Sequence, residues 1–240
     1  MEPVLFYGVP QGCSFGSIVA LEWQGQPYRL CRIEMMEQPW APLYAKVNPL
    51  FKTPALLLED GEPLTESLAI LQHLAARDLS RRLGFEQGSR EFDRLNQMLA
   101  YLTTDFFAAF GPLWTLYDTQ GMSGVEQELL RRLGREQVAE GCAYLNGLLV
   151  EREWLLGDAR SMADAYFVGI ARWAEYHRLF DLKQEYPNLA RHLARLRDDP
   201  AVRFAETIER GEQPAGQGHF RGHVSLKELE PRLAPDALSA

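Results

Sequence analysis

Glu66 and Ser67 stand where a helical apolar pattern begins, with Leu68, Leu71 and Ala75 recurring at helix spacing and Ile70 and Leu74 widening the stripe. A helix start exposes unpaired N–H groups and the positive end of the helix dipole, so a ligand carboxylate can bind the amides and the Ser67 hydroxyl. Glu66 beside it can accept from an ammonium group, and together the two residues suit an α-amino acid end. Upstream, Thr53-Pro54 opens an apolar run over residues 55–58. Proline removes a backbone donor and lowers the cost of a cis peptide, which leaves the Thr53 backbone able to pair with an extended peptide. Such residues also cap helices, a purely structural role. A second pair, Cys13-Ser14, follows the first strand pattern and starts the first helix pattern, where the dipole and a hydroxyl donor stabilise an anion. A small buried cysteine is the alternative there.

These residues need elements to place them. Residues 4–7 form a hydrophobic strand, residues 8–12 a loop, and Phe15, Ile18 and Val19 one helix face. Gly25-Gln26-Pro27 ends that helix before a second strand at 28–33, and residues 34–47 have no clear pattern. Asp60-Gly61 reads as a hairpin turn between 55–58 and a short strand at 63–65. The order β-α-β-(α)-β-β-α over residues 1–78 is thioredoxin-like. A polar stretch, 79–88, reads as a linker. Helical patterns follow at 89–118, 124–152, 162–178, 187–197 and 201–209, so residues 89–210 read as an all-helical bundle. Residues 211–240, rich in Gly and Pro, read as a C-terminal tail that packs partly or not at all.

The run Pro54-Ala55-Leu56-x-Leu58-x-Asp60-Gly61-x-x-Leu64-Thr65-Glu66-Ser67-x-Ala69-Ile70-x-x-His73-Leu74 resembles the glutathione-binding half of cytosolic glutathione transferases. The resemblance implies that Pro54 is a cis-proline, that the Thr53 backbone pairs with the cysteinyl part of glutathione, and that Glu66 and Ser67 hold its γ-glutamyl end. Lys52 would lie near the glycyl carboxylate. The family often has glycine where this chain has Phe51. Ser161-Met162-Ala163-Asp164 has capping-box spacing with Asp for Glu. It follows Leu155-Leu156-Gly157-Asp158, as a similar cap does in the family's helical domain.

Pro10-Gln11-Gly12-Cys13-Ser14 resembles the segment of bacterial beta-class members in which a cysteine lies against the glutathione sulfur. A thiol of pKa about 8.5 is only slightly ionised at pH 7, and lowering it by about two units takes roughly 2.7 kcal/mol of differential stabilisation. Cys13 or Ser14 could donate to the glutathione thiolate, which then attacks an electrophilic carbon; alternatively Cys13 forms a mixed disulfide. Tyr7 is a third candidate donor, since some classes use a tyrosine near the end of the first strand. Beta-class members commonly have a histidine where this chain has Phe107. Tyr7, Phe107, Phe110 and Trp114, with Phe106 and Tyr117, could wall an apolar electrophile site, although core packing accounts for most aromatics at helical spacing.

Composition narrows the remaining classes. The chain has 240 residues, 46% of them hydrophobic, and 25 basic against 33 acidic side chains give a net charge of -8, which argues against nucleic acid. The sequence has neither a secretory leader nor an apolar run of about 18 residues, so no membrane partner and a cytoplasmic location are expected. Three dispersed cysteines form neither a disulfide framework nor a metal cluster, and no metal is expected. The resemblance implies a detoxifying homodimeric glutathione transferase that conjugates glutathione to small hydrophobic electrophiles. The alternatives are a glutathione-dependent thiol-disulfide oxidoreductase acting through Cys13, and a non-catalytic protein-binding member of the fold.

Overall fold

The computed structural model describes residues 1–8, 12–36, 39–81, 83–215 and 218–233. The chain divides into two units, residues 1–84 with 199–240, and residues 85–198. In the first, β1 (Val4–Gly8) leads to α1 (Ser14–Gln24), β2 (Tyr28–Ile33), a 3-10 turn (Pro42–Lys46), β3 (Ala55–Leu57), β4 (Pro63–Thr65) and α2 (Ser67–Arg77). The strands follow the sequence pattern closely, β1 starting after Pro3 and ending at Gly8, β2 starting after Pro27 and β3 after Pro54. Residues 9–11 of the expected β1–α1 loop lie outside the described residues.

The second unit begins with α3 (Arg90–Tyr101) and α4 (Gly111–Asp118). Between them lie a π-helical turn (Leu102–Phe106) and a 3-10 turn (Ala108–Phe110). The single helix expected at 89–118 is therefore interrupted. Pro112 occupies the first turn of α4, where its missing N–H costs nothing, whereas inside a continuous helix it would lose a bond and clash. The unit continues with α5 (Gly124–Leu148), α6 (Met162–Ala171), α7 (Trp173–Tyr176), α8 (Leu182–Glu185) and α9 (Pro187–Asp198). Gly141 on α5 allows a close approach: a Cβ there would sit 2.6 Å from the Phe106 ring.

The chain then returns to the first unit through α10 (Pro200–Glu209), β5 (Phe220–His223) and α11 (Leu226–Leu229). This differs from the expected helical domain at 89–210 and tail at 211–240. Ala201, Val202, Phe204, Ala205 and Ile208 of α10 are buried, and the helix packs on α1, all of whose residues are buried. Helical periodicity identifies a buried face but not the partner that covers it. The segment after α10 enters the sheet, whose order is β4-β3-β1-β2-β5, with β5 parallel to β2. Leu229 and Leu233 join the core cluster of Val4, Phe6, Cys31 and Tyr44 on one sheet face. Residues 234–240 lie outside the described residues. Leu83, within the expected linker, is buried, and Arg82 lies outside the described residues.

Candidate active site

The hairpin β3–β4 feeds directly into α2. Ala55 to Leu57 pair antiparallel with β1 on one side and with β4 on the other, and the register against β1 starts with Ala55 opposite Phe6. Thr53 therefore stands outside the ladder, and its bond to Pro54 is cis. The loop before it is held from below: the Tyr44 hydroxyl and the Asn48 side-chain amide both donate to the Lys52 carbonyl, at 2.8 and 2.9 Å. Asn48 Oδ1 also accepts from the Leu50 N–H at 3.0 Å. Tyr44 and Asn48 are buried, so these bonds fix the strand edge on which a peptide could lie. Their role was not legible in the sequence, because both sit in the stretch without a pattern or at its end. Lys52 itself is exposed.

Phe51 has φ 52°, the left-handed region that favours glycine, which accounts for glycine at this position in the resemblance. Its ring stacks on Trp40 with centroids 5.3 Å apart, a contact glycine would forfeit. Glu66 has φ 69° and ψ 123°, sits immediately before Ser67, and makes no side-chain capping bond. The purely structural cap is thus not made by Glu66. Its exposed carboxylate is held in a strained backbone conformation beside the N-terminal amides of α2.

Cys13 and Ser14 stand at the start of α1, but their environments differ. Ser14 is buried, and its hydroxyl accepts from the Gly8 N–H at 3.4 Å, tying helix to strand. Cys13 is partly exposed and precedes the first helical residue. Pro10 and Gln11 of the same motif lie outside the described residues. The Tyr7 hydroxyl is 2.9 Å from His223 Nε2 on β5, and burial pushes this phenol up to about 12, with Arg32 opposing. That bond commits Tyr7 to the C-terminal strand rather than to a bound sulfur. His223 had no sequence signal, since its contact spans almost the whole chain.

In the helical unit Phe110 is fully buried among Phe106, Trp173 and His177, so it is core and not the wall of an open site. Phe107 and Trp114 are half-buried and both pack on Trp173, while Trp114 also stacks on Tyr176. Trp173, Tyr176 and His177 complete an aromatic cluster that the spacing of 106–117 alone did not reveal. Burial lowers the His177 imidazole, keeping it neutral. Asp164 is buried at the start of α6 and completes the capping box with Ser161.

Comparison with known proteins identifies the family. The N-terminal domain model of glutathione S-transferases matches residues 13–77, and the C-terminal domain model matches residues 126–195. Glutathione S-transferase GstA of Escherichia coli O157:H7 is 31% identical over 207 residues, covering 85% of this chain and 98% of that protein. The chain belongs to the glutathione S-transferase family. This transferase is also similar to a sphingomonad glutathione S-transferase solved with glutathione, with TM-score 0.75, 28% identity and coverage of 86% and 98%. A bacterial beta-class enzyme of Sphingomonas chungbukensis matches with TM-score 0.74, 28% identity and the same coverage. Among the described residues of the transferase, no helix is long and apolar enough to cross a membrane.

Proposed function

We propose that the enzyme conjugates glutathione to small hydrophobic electrophiles, with Cys13 against the glutathione sulfur. The observation that carries this reading is what meets at the open end of the β3–β4 hairpin: an unladdered Thr53 backbone, and the Glu66 carboxylate beside the N-terminus of α2. The Thr53 backbone would pair with the cysteinyl residue, Glu66 with the γ-glutamyl ammonium, the Ser67 hydroxyl and α2 amides with its carboxylate, and Lys52 with the glycyl carboxylate. Phe107 and Trp114 would provide an apolar face to the electrophile. Ser14, with its hydroxyl engaged by Gly8, is assigned to positioning α1 rather than to the sulfur. The reading includes a cytoplasmic homodimer, as the thiol content and the family suggest.

That same assignment of Ser14 favours a second reading. Ser14 being assigned to the helix, the partly exposed Cys13 thiol is the group proposed to act, either as donor to a glutathione thiolate or as the attacking sulfur in disulfide exchange. In the exchange, the Cys13 thiolate attacks the glutathionyl sulfur of a glutathione mixed disulfide, GS–SR, a Cys13–glutathione disulfide forms and the RS thiolate leaves. A second glutathione thiolate then attacks the Cys13–glutathione disulfide and restores Cys13, with oxidised glutathione as product.

The test measures glutathione binding by calorimetry, conjugation with an aryl halide, and exchange with a mixed disulfide, for wild type, Cys13→Ala and Ser14→Ala. Conjugation in wild type that falls in Cys13→Ala while binding persists supports the proposal. Exchange without conjugation, abolished in Cys13→Ala, selects the second reading. A wild type that binds no glutathione refutes both and leaves the protein-binding alternative.

A further inference from the structure

We propose, resting on the glutathione reading of Thr53, Glu66 and Ser67, that residues 219–233 form a strap that positions the glutathione site by bracing both ends of the β3–β4 hairpin. The strap, β5 with α11 and the turn after it, lies outside both domain matches, residues 13–77 and 126–195. It is nevertheless built into the fold. The Tyr28 N–H donates to the His219 carbonyl and the Val224 N–H to the Leu30 carbonyl, at 3.1 and 2.9 Å, which fastens the strap along β2. Ser225 and Glu228 then form a capping box that starts α11.

Alternation along β1, β2 and β3 puts Val4, Phe6, Cys31, Ile33, Ala55 and Leu57 on one face of the sheet, while the Tyr28–Glu22 bond places α1 on the other. Leu229 and Leu233 of the strap are buried in the first face together with Tyr44, and α11 packs on the 3-10 turn that carries Tyr44. Tyr44 links the strap to the site. Its ring lies against Phe6 and Phe51, with centroids 5.6 and 6.4 Å away, and its hydroxyl holds the Lys52 carbonyl next to Thr53. The far end of the strap reaches the hairpin turn. Arg232 Nη2 donates to the Glu2 and Leu58 carbonyls at 3.1 and 3.3 Å, and the Arg232 carbonyl passes so close to Gly61 that a Cβ there would lie 2.8 Å from it. Leu229 and Leu233 thus brace the open end of the hairpin through Tyr44, and Arg232 braces its turn. Without the brace the ligand must itself order the Thr53 backbone, and the cost appears as lost affinity.

The test titrates the full-length protein with glutathione by calorimetry. Leu229→Ala should weaken binding about tenfold, equivalent to about 1.4 kcal/mol, the cost of ordering one residue's backbone. Leu229→Met, which conserves volume, should restore it. Tyr44→Phe should weaken binding by a similar factor, and adding Leu229→Ala to it should cost little more, since both act through the Lys52 carbonyl. Arg232→Ala, on a half-buried side chain, should weaken binding several-fold and keeps the test readable should Leu229→Ala misfold. Phe220→Ala removes strap packing on Tyr28 and Phe204, on the other sheet face, and should lower the melting temperature while leaving affinity unchanged. Wild-type affinity in both Leu229→Ala and Arg232→Ala, or an equal loss in Phe220→Ala, overturns the inference. A wild type that binds no glutathione overturns the proposed function instead. Hydrogen exchange at the Leu50 and Phe51 amides without glutathione then reads the brace alone: faster exchange in Leu229→Ala or Arg232→Ala supports it, and unchanged exchange in both overturns it.

Discussion

Replacing Asp164 with alanine should unfold the helical unit more readily while leaving the glutathione affinity of the folded protein unchanged. The carboxylate is fully buried and accepts from the Leu155 N–H at 3.0 Å, the Ser161 N–H at 2.9 Å and the Ser161 hydroxyl at 3.2 Å. His192, equally buried, places Nε2 3.1 Å from Oδ1. Alanine leaves these donors in an apolar interior. Each unsatisfied buried donor costs about 1–3 kcal/mol, and the separate costs do not add fully because neighbours relax and water enters. With the Leu155 N–H, the Ser161 N–H and the Ser161 hydroxyl losing their acceptor, the expected total loss is about 3–5 kcal/mol. Against a typical stability of about 5–15 kcal/mol it is a large fraction. With a urea slope of about 2 kcal/mol/M, the midpoint should fall by roughly 2 M. Urea unfolding followed by tryptophan fluorescence reads this shift, and Asp164→Asn, which keeps one carbonyl acceptor, should fall between alanine and wild type. A midpoint within about 0.5 M of wild type, or a selective loss of glutathione binding, would refute the capping argument.

Glu66→Gly should match or exceed wild-type stability, because it relieves a non-glycine residue at φ 69°, yet weaken glutathione about tenfold or more by removing the ammonium acceptor; unchanged affinity in calorimetry would reject the binding role. Phe51→Gly and Phe51→Ala lose the same ring, but only alanine keeps a Cβ at φ 52°, so denaturation should find the glycine variant more stable by up to about 1 kcal/mol. Burial, aided by Glu228 for Cys31 and Glu185 for Cys142, pushes both thiols up to about 12. Native protein at pH 8 should accordingly give one fast-reacting thiol with an aromatic disulfide reagent and lose it in Cys13→Ser, whereas unfolded wild type gives all three. Docked His223 has its pKa lowered from 6.5, by burial first and Arg32 second. A detached β5 would bind a proton more readily, so docking is at full strength above that value and weakens as pH falls below it. Hydrogen-exchange protection of residues 220–223, corrected for intrinsic rates, should therefore fall between pH 7 and 5, and His223→Gln should flatten that dependence.

The strand–turn–strand–helix from Ala55 to Arg77 was legible because every instruction in it is local. Pro54 stops the ladder, Asp60-Gly61 supports the turn, with Gly61 at φ 94°, and the stripe from Ile70 to Leu74 commits α2 to the core. The capping box at Ser161 and Asp164 was legible for the same reason. What surrounds these motifs depended on contacts remote in sequence. The spacing of Phe107, Phe110 and Trp114 could not tell core from wall, since periodicity reports one face and not its neighbours. Only packing buried Phe110 completely and brought Trp173 and His177 to it. Cys13 and Ser14 are adjacent and chemically similar, yet the chain path sends the Ser14 hydroxyl to Gly8 and leaves the thiol partly exposed. The Gly- and Pro-rich end of the chain looked like a tail because four residues of strand carry almost no pattern. Its place beside β2 comes from an open sheet edge about 190 residues away, whose unpaired backbone groups no local signal can announce.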